Sequence, residues 1–115
     1  MIAVLGAVAG FIAVALGAFG AHALSDGFSD KATGWWETAT LYLLVHAALA
    51  TALSAANSTK FGLASVVLLA GAALFAATLY AMALGAPRWF GAITPIGGLG
   101  MLAGWALIAW AALKA

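Results

Sequence analysis

Charge is what this chain most lacks: four Lys and Arg and three Asp and Glu in 115 residues. With 67% hydrophobic residues and a mean hydropathy of +1.17, it has too little polar surface to clothe a water-soluble globule. It has to be dissolved in lipid. The net charge of +1 excludes a polybasic nucleic-acid or membrane-surface binder. Cysteine is absent, which excludes disulfides and thiolate chemistry. Only two prolines occur, Pro87 and Pro95, so long uninterrupted helices are open to most of the chain.

What is present is apolar and arrives in four runs: about 2–24, 35–56, 61–84 and 92–113. Each is long enough to cross a bilayer as a helix, the structure that satisfies its own backbone polar groups in lipid. Period-2 alternation is missing, which argues against a barrel. Residues 25–34 read as a polar loop, 57–60 as a short turn, and Gly85-Ala86-Pro87-Arg88 as a helix break. The connections are short, so successive helices should run antiparallel. The expected fold is all-α: one transmembrane domain over 1–115, an up-down-up-down four-helix bundle with both termini on one side. Ala21-His22-Ala23 has the form of a signal-peptide cleavage site, but no basic residue precedes the apolar run. We read a retained first helix.

Basic residues divide evenly between the two sides, Lys60 and Lys114 against Lys31 and Arg88. The positive-inside rule is nearly silent, and the termini are assigned to the cytoplasm as an expectation only. Trp35, Trp36, Trp89 and Trp110 fall near helix ends, where indoles anchor at headgroups; Trp105 lies deeper and should pack. Gly6, Gly10, Ala13, Gly17 and Gly20 recur at alternating spacings of four and three, and Gly97, Gly100 and Gly104 repeat the theme. Small residues on one face let helices approach closely. These rows are either packing faces within the bundle or a homo-oligomer face.

The candidate polar pocket is His22, Glu37, Thr38, Tyr42, His46, Thr78, Tyr80 and Thr94. All belong to the half of the membrane nearest the two longer loops, with His46 near the midplane at its bottom. Thr38, Tyr42 and His46 share a helix face by their spacing of four. A mid-membrane His is a site candidate by default, or a neutral imidazole bonded to Tyr42, Thr38 or a carbonyl. Glu37 either favours the positive end of its helix or pairs with His22. Tyr42 and Tyr80 are either site groups or packing rings with one bonded hydroxyl. In the other half, Thr51, Ser54 and Ser65 can return bonds to their own helix.

No catalytic set of nucleophile, base and acid is apparent. His22 and His46 differ in depth by about 10 Å, too far for one shared ion, and no His-x-x-x-His pair exists. No metal or cofactor is expected. Gly97-Gly98-Leu99-Gly100 lacks the strand and Lys of a phosphate-binding turn. Asn57-Ser58-Thr59 matches a glycosylation acceptor but reads better as a turn or helix cap.

The block Gly17-Ala18-Phe19-Gly20-Ala21-His22-Ala23-Leu24 resembles the first motif of the domain-of-unknown-function family 423, small bacterial membrane proteins related to eukaryotic transmembrane protein 256. Trp36-Glu37-Thr38-Ala39 with Tyr42 and His46 resembles its second. Leu74-Phe75 with Leu79-Tyr80, and Gly91-Ala92-Ile93-Thr94-Pro95-Ile96-Gly97-Gly98 with Gly104-Trp105, are similar to the third and fourth. The resemblance covers nearly the whole chain and implies a four-helix bacterial inner-membrane protein with no settled activity. Leu41 stands where members often carry Gln, and Ala76-Ala77 where they often carry Ser-Gly, so the pocket is less polar here. The leading expectation is a non-enzymatic, membrane-supporting protein, self-associating, with membrane lipid as its partner and a lipid-like ligand in a one-sided pocket. The alternative is a channel or transporter for a proton, ion or small neutral solute using Glu37, His22, Tyr42 and His46.

Overall fold

The computed structural model describes residues 1–56 and 59–114, the side chains of residues 23–25 excepted. Four α-helices carry the chain: α1 (Ile2–Phe19), α2 (Asp30–Ala55), α3 (Gly62–Ala83) and α4 (Thr94–Leu113), with no strand among the described residues. All four are long and apolar enough to cross a membrane. The first two residues of the Asn57-Ser58-Thr59 motif lie outside the described residues.

The second helix begins earlier than the apolar pattern suggests. Ser29 caps it, its hydroxyl accepting from the Ala32 amide at 3.1 Å, and Asp30 in the first turn favours the positive end of the helix dipole. Local capping therefore converts the second half of the expected loop into helix. At 26 residues, α2 is about 39 Å long and overreaches the ~30 Å hydrocarbon core. Its first turns stand at headgroup level. At the other side of the same loop, α1 ends in a π-helical turn, Gly20–Leu24, that includes His22.

The break after α3 is closed by backbone hydrogen bonds. Gly85 adopts φ 109°, a conformation that suits glycine. The Gly85 amide donates to Met82 O at 3.1 Å and the Ala86 amide to Ala81 O at 2.9 Å. This is a Schellman cap, with Pro87 following to prevent continuation. Pro95 lies in the first turn of α4, where its missing N–H costs nothing.

Most of the small-residue positions pack against a neighbouring helix of the same chain. A Cβ on Gly6 or Gly20 would meet Thr51 or Trp36 of α2, and one on Gly17 would lie 3.0 Å from Thr40. On α4, Gly97 sits against Phe75 and Gly71, Gly100 against Gly71, and Gly104 against Leu68. Within the single chain, these glycines serve intramolecular packing. Gly71 and Gly97 mark the closest approach: a Cβ on Gly71 would fall 2.7 Å from the Met101 amide nitrogen.

The bundle is open. α1 packs on α2, α2 on α3 and α3 on α4, while α1 and α4 share no substantial contact. The residues of α2 that meet α1 (Trp36, Thr40, Ala47, Thr51) and those beside α4 (Tyr42, His46) occupy different faces. Thus α1 and α4 flank a central α2–α3 pair. Core positions are mostly alanine, including Ala13, Ala39, Ala47, Ala50 and Ala72, which lets the helices approach closely. Large side chains such as Phe11, 77% exposed, and Leu99, 65% exposed, point outward; lipid is the medium that suits them.

Candidate functional site

The eight residues of the expected pocket do not converge on one cavity. His22, Glu37 and Thr38 are exposed, and Tyr42 is half-exposed, whereas His46, Thr78 and Tyr80 are buried. No ion pair or hydrogen bond joins His22 to Glu37 among the described residues. The pairing of those two is therefore not formed. His22 rides on the π-turn of α1, and Glu37 faces a separate cleft.

The remaining polar groups are joined in pairs between neighbouring helices. Thr40 of α2 and Tyr80 of α3 share a hydroxyl–hydroxyl bond of 2.7 Å. Thr78 of α3 and Thr94 of α4 do the same at 2.7 Å. Thr78 also lies 2.9 Å from the Phe75 carbonyl. A consistent chain has Thr94 donating to Thr78, and Thr78 donating to that carbonyl. Trp36 donates its indole N–H to the Leu16 carbonyl of α1 at 2.7 Å. Each successive helix pair thus carries one polar link. Thr51 and Ser65, in the opposite half, bond the Ala47 and Phe61 carbonyls of their own turns.

His46 is the deepest polar group, and both of its ring nitrogens are occupied. Nδ1 lies 2.6 Å from the Tyr42 carbonyl, and Trp105 donates its indole N–H to Nε2 at 3.1 Å. An indole N–H only donates, so Nε2 must be the acceptor and Nδ1 must carry the hydrogen. The tautomer follows from the partner, and neither nitrogen is left to take a metal or a travelling proton. No group of three or more potential metal-binding side chains exists among the described residues.

Around His46 the structure builds a groove between α2 and α4. Its volume is about 540 Å³, and its walls include Tyr42, Phe75, Leu99, Leu102 and Trp105. The rings interlock: Tyr42 stacks on His46 at 6.1 Å and tilts against Phe75 at 5.0 Å, and Trp105 meets His46 edge-on at 6.0 Å. The Tyr42 hydroxyl makes no hydrogen bond among the described residues. Pattern reading missed Thr40, Trp36 as an inward donor, and Trp105 as a bonding partner. The available signal was that Trp36 and Thr40, four residues apart, share one face of α2, as Gly17 and Gly20, three apart, share one face of the helix opposite.

A family model described as "Protein of unknown function (DUF423)" matches residues 16–98. The chain belongs to the DUF423 family. Its matched region holds three of the four interhelical links and ends before Trp105. The chain is 41% identical to the UPF0382 inner membrane protein YgdD of Escherichia coli K12, over 96% of this chain and 88% of that protein. It is 44% identical to a UPF0382 membrane protein of Haemophilus influenzae, over 94% and 90%. Against a UPF0382 membrane protein of Staphylococcus epidermidis the identity is 40%, over 96% and 93%. No solved structure matches the chain. With four membrane-length apolar helices, this DUF423 chain is an integral protein of the bacterial inner membrane. Neither the family description nor these names carries an enzymatic activity.

Proposed function

We propose that this protein is a non-enzymatic, membrane-supporting bundle whose α2–α4 groove holds a lipid-like apolar ligand. The observation that carries the reading is the Tyr42 hydroxyl. It lies on the wall of a groove of about 540 Å³, near the middle of α2, without a partner in the chain. A hydroxyl in an apolar medium costs free energy until it is bonded. A long-chain ligand bearing one hydroxyl or carbonyl group would fill the groove and bond it.

The channel alternative finds less support. A descending polar path needs unspent groups, and those of Thr40, Tyr80, Thr78, Thr94 and His46 are bonded across helices. Below His46, Thr51 and Ser65 are turned back on their own helices.

The test is photolabelling of the protein in nanodiscs with a diazirine-bearing long-chain alcohol. Label is expected on Tyr42 and on the 95–102 stretch. Leu99→Trp, which narrows the groove, should lower labelling about fivefold, the equivalent of ~1 kcal/mol. Uniform labelling of every exposed helix face, unchanged in Leu99→Trp, would remove the groove from consideration. Selective solute flux through the purified protein in liposomes would favour the transporter instead.

A further inference from the structure

The flank of α2 that faces α1 carries a second, differently built site. Glu37 is the one carboxylate beyond the first turn of a helix, since Asp26 precedes α2 and Asp30 is its first residue. It sits about 10 Å in from the start of α2, level with the π-turn of α1, where Gly20 meets Trp36. That is the boundary between headgroups and hydrocarbon. Its carboxylate has no ion pair or hydrogen bond among the described residues. Lys31, the nearest cation in sequence, lies instead over the Trp35 ring at 5.9 Å.

Glu37 lines a cleft of about 100 Å³ together with Thr33, Thr40, Phe28 and Trp36. Carboxylate, two hydroxyls and two aromatic rings form a set that suits a primary ammonium. The oxygens accept its N–H bonds, and the rings attract its charge. One helical turn further down the same α1–α2 seam, the cleft gives way to a groove of about 680 Å³ whose walls include Phe11, Val14, Leu44 and Ala48. The groove opens at Leu44, about 10 Å below Glu37, and continues along α2 to Ala55, more than the ~15 Å depth of one leaflet that a single acyl chain occupies.

We infer that the α1–α2 seam is a binding site for an aminophospholipid of the phosphatidylethanolamine class, its ammonium on Glu37 and one acyl chain in the groove below. Charge complementarity selects the occupant. An anionic headgroup would face Glu37 with like charge. A choline headgroup carries positive charge but no N–H to give the carboxylate and hydroxyls. The lipid cation in turn neutralises a carboxylate that would otherwise stand unpaired at the hydrocarbon edge. This site and the α2–α4 groove lie on different flanks of α2, so each stands or falls separately.

The experiment is native mass spectrometry of the detergent-solubilised protein titrated with phosphatidylethanolamine, phosphatidylcholine or phosphatidylglycerol of identical acyl chains. Phosphatidylethanolamine should bind about tenfold more tightly than either of the others. Glu37→Gln should abolish that preference while retaining helix content and melting behaviour. Ala48→Phe, which fills the groove, should weaken all three lipids and keep their order. Leu99→Trp, on the other flank, should leave the preference unchanged. Equal affinity for the three lipids in the wild type, or an intact preference in Glu37→Gln, overturns the assignment. Competition by soluble phosphoethanolamine at the lipid's own affinity would overturn the acyl-chain half and leave a soluble amine site.

Discussion

At the scale of the residue, His46 shows how a costly group is made safe. It is 4% exposed and near the midplane, where an imidazole with an unmet nitrogen would destabilise the bundle. The Tyr42 carbonyl takes one nitrogen and Trp105 serves the other. If that second bond joins α2 to α4 energetically, Trp105→Phe and His46→Leu should be coupled. Double-mutant cycles of membrane hydrogen bonds average about 0.6 kcal/mol and reach about 1.7, and a coupling in that range is expected from unfolding in a mixed-detergent titration. Strict additivity would show that Trp105 merely lies beside His46. The sequence alone singled out His46, because depth follows from counting residues. It did not single out Trp105, because helical periodicity orders one helix and says nothing about which residue of another will face it.

At the scale of the element, tight packing of α3 on α4 rests on backbone rather than side-chain complementarity. Gly71 leaves no room for a Cβ between Gly97, Gly100 and Met101. A methyl there cannot be absorbed by a flexible side chain, so α4 would have to move away and take the Thr78–Thr94 bond with it. Gly71→Ala is therefore expected to destabilise by about 1–3 kcal/mol, the usual cost of overpacking. Gly34 is the control, with nothing within 4 Å of an added Cβ. Gly34→Ala in the same titration should be neutral or stabilising by up to ~1 kcal/mol, from helix propensity. Equal losses at the two sites would mean that close approach is not what holds α3 to α4. The rows on α1 and α4 were visible in the sequence as small-residue repeats, yet Gly71 was not, since it stands alone in a run of alanines. The start of α2 was likewise hidden, because Ser29 acts through a single capping bond and leaves no trace in hydropathy.

At the scale of the molecule, four spans and their alternation follow from apolar run length and short connections, and both are legible in the sequence. The order in which the helices touch was not, because a closed bundle and an open one share the same pattern of apolar stretches. Their difference is a matter of α1: a closed up-down-up-down bundle brings it beside α4, whereas here it rests on α2 and leaves α4 alone. The absence of native cysteine makes this directly measurable. A Cβ at Gly10 lies 3.9 Å from that of Ala47, inside the ~3.5–4.5 Å range that a disulfide requires. The pair Gly10→Cys with Ala47→Cys should therefore oxidise within one chain in native membranes. Val14→Cys with Leu102→Cys, exposed residues that line the two separate grooves on α1 and α4, should not. Efficient intramolecular cross-linking of the second pair would close the bundle and with it bury the flanks of α2 on which both grooves depend. A cross-linked product at twice the chain mass would instead show that two copies of the chain meet on these exposed positions of α1 or α4.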